Sequence, residues 1–371
     1  MLLELVAVAL ATIHFGVPLV YYWYLKARWL NKPWNIEVDP NYKPEVSIII
    51  PTYNEAELIE KKLDNIYEQD YPRDRVEIVV VDSASTDGTP EKVRDWSRRH
   101  PDLRLVLLEE PIRRGMVPAL NYALKNVSSG TGIVVFTDVD AFLPRDGLRQ
   151  IVKYFADEKV GAVTTCIYPL EKSDGRDLEE TYRDYYNVVR IGESKIHSTP
   201  IHNGALIAFR KKLLEALGGL PTYTGNDDST PASLMAFMGY RAIQIDDVVV
   251  CEPVRGNYMK RKIRRAQHLI LHFIYTKRYA KNLGVYQRTD FDKIWRIEAF
   301  LHLANPWLLL ASTALLLALS IMKSLIAIAL LSLGIAMLLL YKPFRTWILN
   351  QLYLAIASIR NLWTKEIIWS K

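Results

Sequence analysis

Two aspartates, Asp138 and Asp140, stand two positions apart in the segment FTDVDAF at residues 136–142. They directly follow the apolar run 133–136, which is typical of a buried strand. Side chains two apart on a strand share a face, so the two carboxylates repel each other unless a cation or hydrogen-bond donors compensate their charge. Aspartate is also an ordinary residue for a turn or a helix cap. The segment by itself leaves both interpretations open, a divalent-cation site and a loop.

The sequence around this pair alternates between short β-branched runs and amphipathic stretches. Four runs predict strands that are buried on both faces, at residues 46–50, 76–82, 103–109 and 132–138. Three stretches between them predict helices, at residues 55–69, 89–100 and 118–127. This alternation predicts an α/β fold with a mostly parallel sheet and helices on both faces. Such sheets bind ligands at the carboxyl ends of their strands.

Polar residues cluster at these predicted carboxyl ends. The strands are followed in order by PTYNE at 51–55, DSASTDGT at 82–89, RRG at 113–115 and the aspartate pair. Carboxylates that can pair with a ribose and a base, beside a carboxylate pair for a cation, indicate a nucleoside diphosphate site. The sequence contains neither GxGxxG nor GxxxxGK[ST], which argues against a dinucleotide enzyme and a P-loop ATPase.

In the order of its motifs the chain resembles the family 2 inverting glycosyltransferases, which have the GT-A nucleotide-sugar fold. The resemblance covers about residues 45–270 and rests on VSIIIPTYNEAELIEKKLDNI, VVVDSASTDGT, TDVDAF and a later acidic pair. The flanking apolar segments and MKRKIRRAQH suggest the membrane-embedded, cellulose-synthase-like branch. The resemblance implies that Asp138 and Asp140 hold Mg²⁺ or Mn²⁺ on the diphosphate of a nucleotide sugar. It also implies a set of nucleotide-binding residues: Pro51, Tyr53, Glu55, Asp82 and Asp138.

An inverting transfer is a single displacement, so a carboxylate must take the proton of the acceptor hydroxyl. The later acidic pair is Asp227 and Asp228, in YTGNDDST ahead of GYRAIQ. By the resemblance both are candidate catalytic residues: Asp228 takes the position of the base, and Asp227 stands where the family usually has glutamate. The residues alone favour a loop in which Asp228 caps a helix before Pro231.

The leaving diphosphate also needs cations. RKIRR at 261–265 matches the family's QxxRW pattern imperfectly, with Arg261 for the glutamine, Arg264 retained and Arg265 in place of the tryptophan. Arginine binds diphosphate through its bidentate fork, so Arg261 and Arg264 are candidate diphosphate ligands. The absent tryptophan weakens a processive interpretation. The same basic stretch could form a helix that faces the membrane.

Two further segments bear on the substrates. In RRGMVPALN, Met116 stands where the family commonly has a lysine. Arg113 or Arg114 could supply that charge instead, and Arg113 is the candidate diphosphate ligand. HNGALIAFRKKLLEALGGLP at 202–221 resembles the acceptor-side segment of the family. It places the sugar and the acceptor near His202, Asn203 and Gly204, although His202 could equally be packed structure.

Long apolar segments occur at both ends of the chain. Residues 2–24 carry one charge and are followed by basic residues, which predicts an N-terminal transmembrane helix at 1–25 rather than a cleaved signal peptide. Residues 303–341 contain two apolar runs and predict a transmembrane hairpin. Basic residues flank the hairpin on the outside of both runs, so the catalytic domain is expected on the cytoplasmic side of the cell membrane.

These segments divide the chain. We predict a cytoplasmic GT-A domain at 45–254, basic interfacial helices at 255–300, and a tail at 344–371 that is an interfacial helix or a further span. The net charge of +6 comes from basic residues beside the membrane, which favours anionic lipids or phosphorylated ligands. No nucleic-acid motif accompanies that charge, and the two cysteines do not require a disulfide.

The residues and the resemblance together predict a membrane-bound inverting glycosyltransferase. It would transfer a single hexose, with mannose favoured, from GDP-mannose or a UDP-hexose to a lipid-linked acceptor at the cytoplasmic face. The acceptor would be a polyprenyl or dolichyl phosphate, or a diphosphate glycan. Two alternatives stay open: a processive polysaccharide synthase of the cellulose or hyaluronan synthase type, and a catalytically silent nucleotide-sugar-binding membrane scaffold.

Overall fold

The computed structural model describes residues 2–169, 176–252 and 258–364. It begins with a long apolar helix, α1 (Leu2–Arg28), which contains Pro18 on a buried side. Seven strands then form one sheet: β1 (Val46–Thr52), β2 (Val76–Ser83), β3 (Arg104–Glu110), β4 (Ile133–Thr137), β5 (Val160–Pro169), β6 (Leu206–Arg210) and β7 (Arg241–Glu252). Their order across the sheet is β3-β2-β1-β4-β6-β5-β7.

The sheet is mostly parallel, which confirms the predicted fold class. Its one reversed strand is β6, which pairs antiparallel with β4 on one side and with β5 on the other. Leu206, the first residue of β6, therefore lies opposite Thr137, the last residue of β4. This reversal brings the segment before β6 to the same edge of the sheet as the segment after β4. Strands β5, β6 and β7 are not among the four strands predicted from the sequence.

Helices cover both faces of the sheet. They are α2 (Ile59–Tyr67), α3 (Thr89–Arg99), α4 (Met116–Leu124), α5 (Gly147–Val152), α6 (Arg176–Ile196), α7 (Lys211–Ala216) and α8 (Ser229–Phe237). Alternate residues of β1 enter two separate apolar clusters: Ile48 packs in the cluster that contains Trp96 of α3, and Ile49 in the one that contains Phe237 of α8. The prediction of burial on both faces is therefore right for β1, β2 and β4. It is wrong for β3, an edge strand whose side chains are mostly half-buried or exposed.

Six further helical segments follow the sheet. They are α9 (Tyr258–Asn282), α10 (Asp290–Ala299), a π-helical turn (Phe300–Ala304), α11 (Asn305–Ile321), α12 (Leu325–Leu340) and α13 (Lys342–Arg360). Helix α9 packs against α8 and α13, and α13 also contacts α6. The catalytic domain and the C-terminal helices are thus joined through α6, α9 and α13.

In the described part of the chain, two helices are long and apolar enough to cross a membrane: α1, and the continuous helix Asp290–Ile321. Helices α12 and α13 meet at an angle of 105° and would form a third span only if the bent pair counts as one. Helices α11 and α12 occupy the segment 303–341 that was predicted as a hairpin. Helix α13 occupies most of the predicted tail at 344–371. The predicted boundary at 254–255 and the tail beyond 364 lie outside the described residues.

Candidate active site

The loops after β1 and β2 are held together by side chain to backbone hydrogen bonds. Asp82, which is 2% exposed, accepts a hydrogen bond from Thr52 Oγ1 at 2.9 Å and another from the backbone N–H of Ser85 at 2.8 Å. Thr52 and Asp82 are register partners at the carboxyl ends of neighbouring strands. The position of Asp82 is therefore fixed before any ligand binds.

The first of these loops is locked into the second. Asn54 has a positive φ of 53°, its backbone N–H donates to Ser85 Oγ at 2.8 Å, and its Oδ1 accepts from the backbone N–H of Thr86 at 2.8 Å. The backbone N–H of Glu55 donates to Thr89 Oγ1 at 2.9 Å. Asparagine tolerates this left-handed conformation better than most residues. The loop that carries Tyr53 and Glu55 is thus rigidly placed beside Asp82.

Arg113 lies beside the loop after β1. Its guanidinium carbon is 3.8 Å from the ring centroid of Tyr53, a cation–π geometry. The neighbouring Arg114 instead forms an ion pair with Glu110 at 2.6 Å. Arg113 therefore lies against Tyr53 and does not line the cavity described below. Met116, three residues later, does line that cavity.

Asp138 and Asp140 follow β4 above a buried lysine. Lys62 Nζ donates to Thr137 Oγ1 at 2.8 Å and to the carbonyl oxygen of Ala141, so it holds both ends of the segment that carries the two aspartates. Burial lowers the pKa of Lys62 to about 7, while the charges of Asp138 and Asp140 act in the opposite direction. A cation beneath the pair partly compensates the repulsion between its carboxylates.

A cavity of about 180 Å³ extends from the aspartate pair towards the acceptor-side segment. It brings together half of the predicted site residues; its lining includes Asp138, His202, Asn203, Gly204, Asp227, Asp228 and Arg264. The predicted residues that do not line it are Asp140, Arg261, Arg113, Pro51, Tyr53, Glu55 and Asp82. Residues that are far apart in the sequence therefore meet at one edge of the sheet, as the strand order requires.

Asp228 caps a helix, as predicted from the residues alone, and its position also suits the base predicted from the resemblance. It is the N-cap of α8, and its Oδ1 accepts from the backbone N–H of Ser229 and, at 2.8 Å, from Ser229 Oγ. A Cβ atom built on Gly204 would lie 3.7 Å from the other oxygen, Oδ2, and 3.9 Å from Oδ2 of Asp227. The cap therefore uses one oxygen of Asp228, and the second oxygen faces the glycine that lines the cavity.

Burial raises the pKa of both carboxylic acids. The pKa of Asp227 rises to about 7, because of burial first and the neighbouring Asp228 second. The pKa of Asp228 is also raised by burial, although its hydrogen bonds with Ser229 and the charges of Arg190 and Arg265 limit the rise. A carboxylate with a raised pKa is a stronger base than an ordinary aspartate, which suits proton abstraction near neutral pH.

The acceptor-side residues present polar atoms that have no protein partner. His202 is buried, and neither of its ring nitrogens has a hydrogen-bond partner among the described residues. Burial lowers the pKa of His202 to about 3, so the ring is neutral at pH 7. Asn203 donates from Nδ2 to the carbonyl oxygen of Thr165 at 2.7 Å, whereas its Oδ1 has no partner in the same part of the chain. Buried polar atoms without partners are expected to bind a ligand or water.

The sequence matches two family models. The model described as "Glycosyl transferase family 2" matches residues 47–218, and the one described as "Glycosyl transferase family group 2" matches residues 133–349. The chain belongs to the family 2 glycosyltransferases. This membership confirms the family resemblance, and with it the assignment of the protein as an enzyme.

Two similar proteins cover most of the chain. The glycosyltransferase AglE of Haloferax volcanii is 30% identical over 227 residues, which are 60% of this chain and 71% of AglE. The solved structure of the mannosyltransferase PcManGT from Pyrobaculum calidifontis, in complex with GDP-Man and Mn²⁺, is 53% identical. It superposes with a TM-score of 0.86 over 97% of this chain and 99% of that one. The superposition therefore includes the C-terminal helices.

A third relative is named for a lipid-linked acceptor. A glucuronosyltransferase of Methanococcus voltae, whose name includes dolichyl N-acetyl-alpha-D-glucosaminyl phosphate, is 26% identical over 172 residues. The match covers 45% of this chain and 48% of that protein, so the chain spans about half of this relative.

The aspartate pair of this glycosyltransferase fits a divalent cation held partly by a substrate. No group of three or more His, Cys, Asp or Glu side chains that could hold a metal occurs in the described part of the chain. Mg²⁺ is commonly bound through one or two carboxylates together with substrate phosphates, and Mn²⁺ also suits carboxylate oxygens. Asp138 and Asp140 provide such a donor set, and the Mn²⁺ in the PcManGT structure agrees with the predicted cofactor.

Arg190 of α6 is one of three buried cations that line the cavity and were not predicted from the sequence. Arg190 is 4% exposed, and its Nε has no hydrogen-bond partner among the described residues. Two nearby cations that also line the cavity are different, because Arg183 and Lys262 pair with Glu179 at 2.9 Å and 2.6 Å. Arg190 is therefore the buried cation best placed to pair with a charge that the substrate brings.

Proposed function

We propose that this family 2 glycosyltransferase transfers a single mannose from GDP-mannose to a hydroxyl group of a lipid-linked glycan, with inversion at the anomeric carbon. One observation carries the proposal: the half-buried pair Asp227 and Asp228 lines the same cavity as Asp138 of the predicted metal site. A base and a donor-binding group that share one small cavity are what a single displacement needs.

The choice of donor is supported by the PcManGT structure, which contains GDP-Man and is 53% identical to this chain. In this protein the nucleoside would lie against Tyr53, Glu55 and Asp82, on the two interlocked loops after β1 and β2. Arg113 would hold the Tyr53 ring in place. Pro51, the second-last residue of β1, would position this loop at the carboxyl end of its strand.

The diphosphate would lie between the aspartate pair and the basic helix α9. Asp138 and Asp140 would hold Mn²⁺ or Mg²⁺, and Arg264, which lines the cavity, would contact the phosphate oxygens, with Arg261 one helical turn before it. The cation, when bound, neutralises the charge that develops on the leaving diphosphate. Arginine adds a planar fork that matches phosphate oxygens.

Asp228 would act as the base. Its Oδ2 takes the proton of the acceptor hydroxyl while the hydroxyl oxygen forms a bond to the anomeric carbon on the face opposite the diphosphate. The bond between that carbon and the diphosphate oxygen breaks, and the electron pair leaves with GDP. Burial keeps the pKa of both carboxylic acids raised, and the neutral His202 and Asn203 are placed to hydrogen-bond the sugar.

The same carboxylate pair favours a hydroxyl acceptor over a lipid monophosphate. A phosphate oxygen is largely ionised at neutral pH and needs no base. A sugar hydroxyl needs the base that the pair provides, and the Methanococcus voltae relative is named for an acceptor that already carries a sugar on dolichyl phosphate.

A lipid carrier and a membrane location are supported by the two apolar helices that are long enough to span a bilayer. We propose that the enzyme spans the cell membrane and faces the cytoplasm, as the basic flanks of these helices predict. The small cavity and the absent tryptophan at position 265 favour one transfer over processive synthesis.

The test is a donor screen with purified, detergent-solubilised protein. GDP-mannose, UDP-glucose and UDP-N-acetylglucosamine would each be incubated with Mn²⁺ or Mg²⁺ and with two acceptors, a polyprenyl phosphate and a polyprenyl-diphosphate-linked glycan. Released nucleotide and product mass would both be measured. One added mannose on the glycan, abolished by EDTA and by Asp140→Ala, supports the proposal. Transfer to the bare phosphate, a ladder of additions, or donor binding without any product would each contradict it.

A further inference from the structure

The apolar helices enclose a second, larger cavity of about 680 Å³. Its walls come from α1, α12 and the first turns of α13, with the tyrosines of α6 at one end, and its lining is almost entirely apolar. Its volume lies within the range of about 300–1,000 Å³ that is usual for small-molecule sites. We call this cavity the apolar groove.

The apolar groove adjoins the catalytic cavity, because Tyr182, Tyr186 and Asn350 line both of them. At these shared residues the character of the lining changes, since the buried cation Arg190 lies on the catalytic side, 5.4 Å from the ring centroid of Tyr186. The two neighbouring cavities are therefore apolar on one side, cationic near their shared wall and acidic at Asp228.

Aromatic contacts fix the groove at the bend between α12 and α13. Phe344 of α13 stacks on Phe15 of α1 with ring centroids 5.5 Å apart, and Trp347 packs edge-on against Tyr185 of α6 at 5.8 Å. The groove is thus built by side chains from both the apolar helices and the catalytic domain.

Two glycines leave the groove open. Gly16 of α1 and Gly334 of α12 both line it, and a Cβ atom built on either would have no heavy atom within 4 Å. Neither glycine has a positive φ, so the backbone at these positions does not require glycine.

We propose that the apolar groove receives the first part of the acceptor's hydrocarbon chain, and that this chain places the acceptor diphosphate beside Arg190 and its glycan hydroxyl beside Asp228. This inference rests on the proposed function, because it assumes a lipid-linked acceptor. A bilayer is as apolar as the groove, so the groove gains little hydrophobic free energy and acts by positioning. Blocking it would displace the reacting hydroxyl.

The test compares four proteins: the wild type, Gly16→Phe, Gly334→Phe and the control Ala329→Phe. Ala329 is exposed on the same helix as Gly334 and does not line the groove. Phenylalanine has a higher helix propensity than glycine, so the helices are not weakened. Each protein would be assayed with GDP-mannose and Mn²⁺ on one glycan diphosphate that carries either a polyprenyl chain or an ethyl group.

We expect both glycine variants to lose at least about tenfold in kcat/KM on the polyprenyl acceptor, as misplacement of a reacting group does. On the ethyl acceptor they should stay within about twofold of the wild type, and Ala329→Phe should match the wild type on both. Equal activity of all four proteins on the polyprenyl acceptor would mean that bulk lipid fills the groove. Equal losses on both acceptors would also overturn the inference. A wild type that transfers mannose to neither acceptor would refute the proposed function itself.

Discussion

Lys62 Nζ donates a hydrogen bond to Thr137 Oγ1 at 2.8 Å, and the same hydroxyl donates to the carbonyl oxygen of Ala205 at 2.7 Å. Thr137 is the last residue before the aspartate pair, and Ala205 follows the acceptor-side residue Gly204. The fully buried lysine of α2 therefore connects the donor side of the cavity to its acceptor side. It does not line the cavity and acts as a positioning residue.

The substitution Lys62→Met should weaken metal binding. It removes the donor to Thr137 and Ala141, so the concentration of Mn²⁺ at half-maximal activity should rise by about 10- to 100-fold, as for other residues that orient metal ligands. The substitution also leaves the hydroxyl of Thr137 and the carbonyl oxygen of Ala141 without this donor. The free energy of unfolding should therefore fall by about 1–3 kcal/mol. Mn²⁺ titrations of activity measure the first effect. Lys61→Met, at the exposed neighbouring position, is the control and should change neither quantity.

The substitution Asp228→Asn should separate chemistry from folding. Asparagine caps helices as well as aspartate does, so α8 should stay intact. Transfer should fall by about 10²–10⁴-fold because the base is lost. Calorimetry with GDP-mannose should show unchanged donor binding. Transfer at the wild-type rate would remove Asp228 from its assigned role.

The pH dependence of kcat/KM should show an acidic limb in the neutral range. The base works only when ionised, and burial raises the pKa of Asp227 to about 7 and that of Asp228 above its ordinary value. Activity should therefore fall as the pH drops through this range, rather than near the ordinary aspartate pKa of about 3.9. A limb near pH 4 in the wild type would contradict this assignment.

Arg190→Met should move that limb to higher pH. The charge of Arg190 lowers the pKa of Asp228, so its removal leaves the carboxylate easier to protonate. Arg190→Lys keeps the charge and should restore the limb. A purely structural role for Arg190 predicts lower activity at all pH values with an unshifted limb.

Arg113→Ala should weaken nucleotide binding without changing the chemical step. The guanidinium holds the Tyr53 ring by a cation–π contact, and its loss should raise the Kd for GDP by about tenfold. The matched control is Arg114→Ala, because Arg114 pairs with Glu110 away from Tyr53. Equal effects of the two substitutions would show that Arg113 has no specific role at the nucleoside.

The donor half of the site was accessible from the sequence because it is local. Each motif follows its own strand within a few residues, and the parallel order of β1, β2 and β4 brings the carboxyl ends to one edge. The fold class could therefore be predicted, whereas the metal pair and the nucleoside loops stay predictions that their positions at this edge support. The exact strand ends could not, and β1 continues through Pro51 to Thr52.

Lys62 and Arg190 could not be predicted from the sequence, because their roles depend on contacts with residues that are far away in the chain. Lys62 stands among the apolar residues Ile59, Leu63 and Ile66 of α2, and a lysine on the buried side of a helix was the available signal. Arg190 had no comparable signal, since its burial arises from the packing of α6 against β5, β7 and the C-terminal helices. Sequence periodicity describes a helix but does not describe what covers it.

The reversed strand β6 also has a consequence for folding. It fills the space between β4 and β5, so β4 has a free edge on that side until residues 206–210 have been synthesised. The exposed edge carries the sequence IVVF, which is apolar and rich in β-branched residues. Unpaired edges of this kind attract other strands. We therefore expect the half of the sheet that contains β4 to be prone to aggregation in the nascent chain until β6 pairs with it.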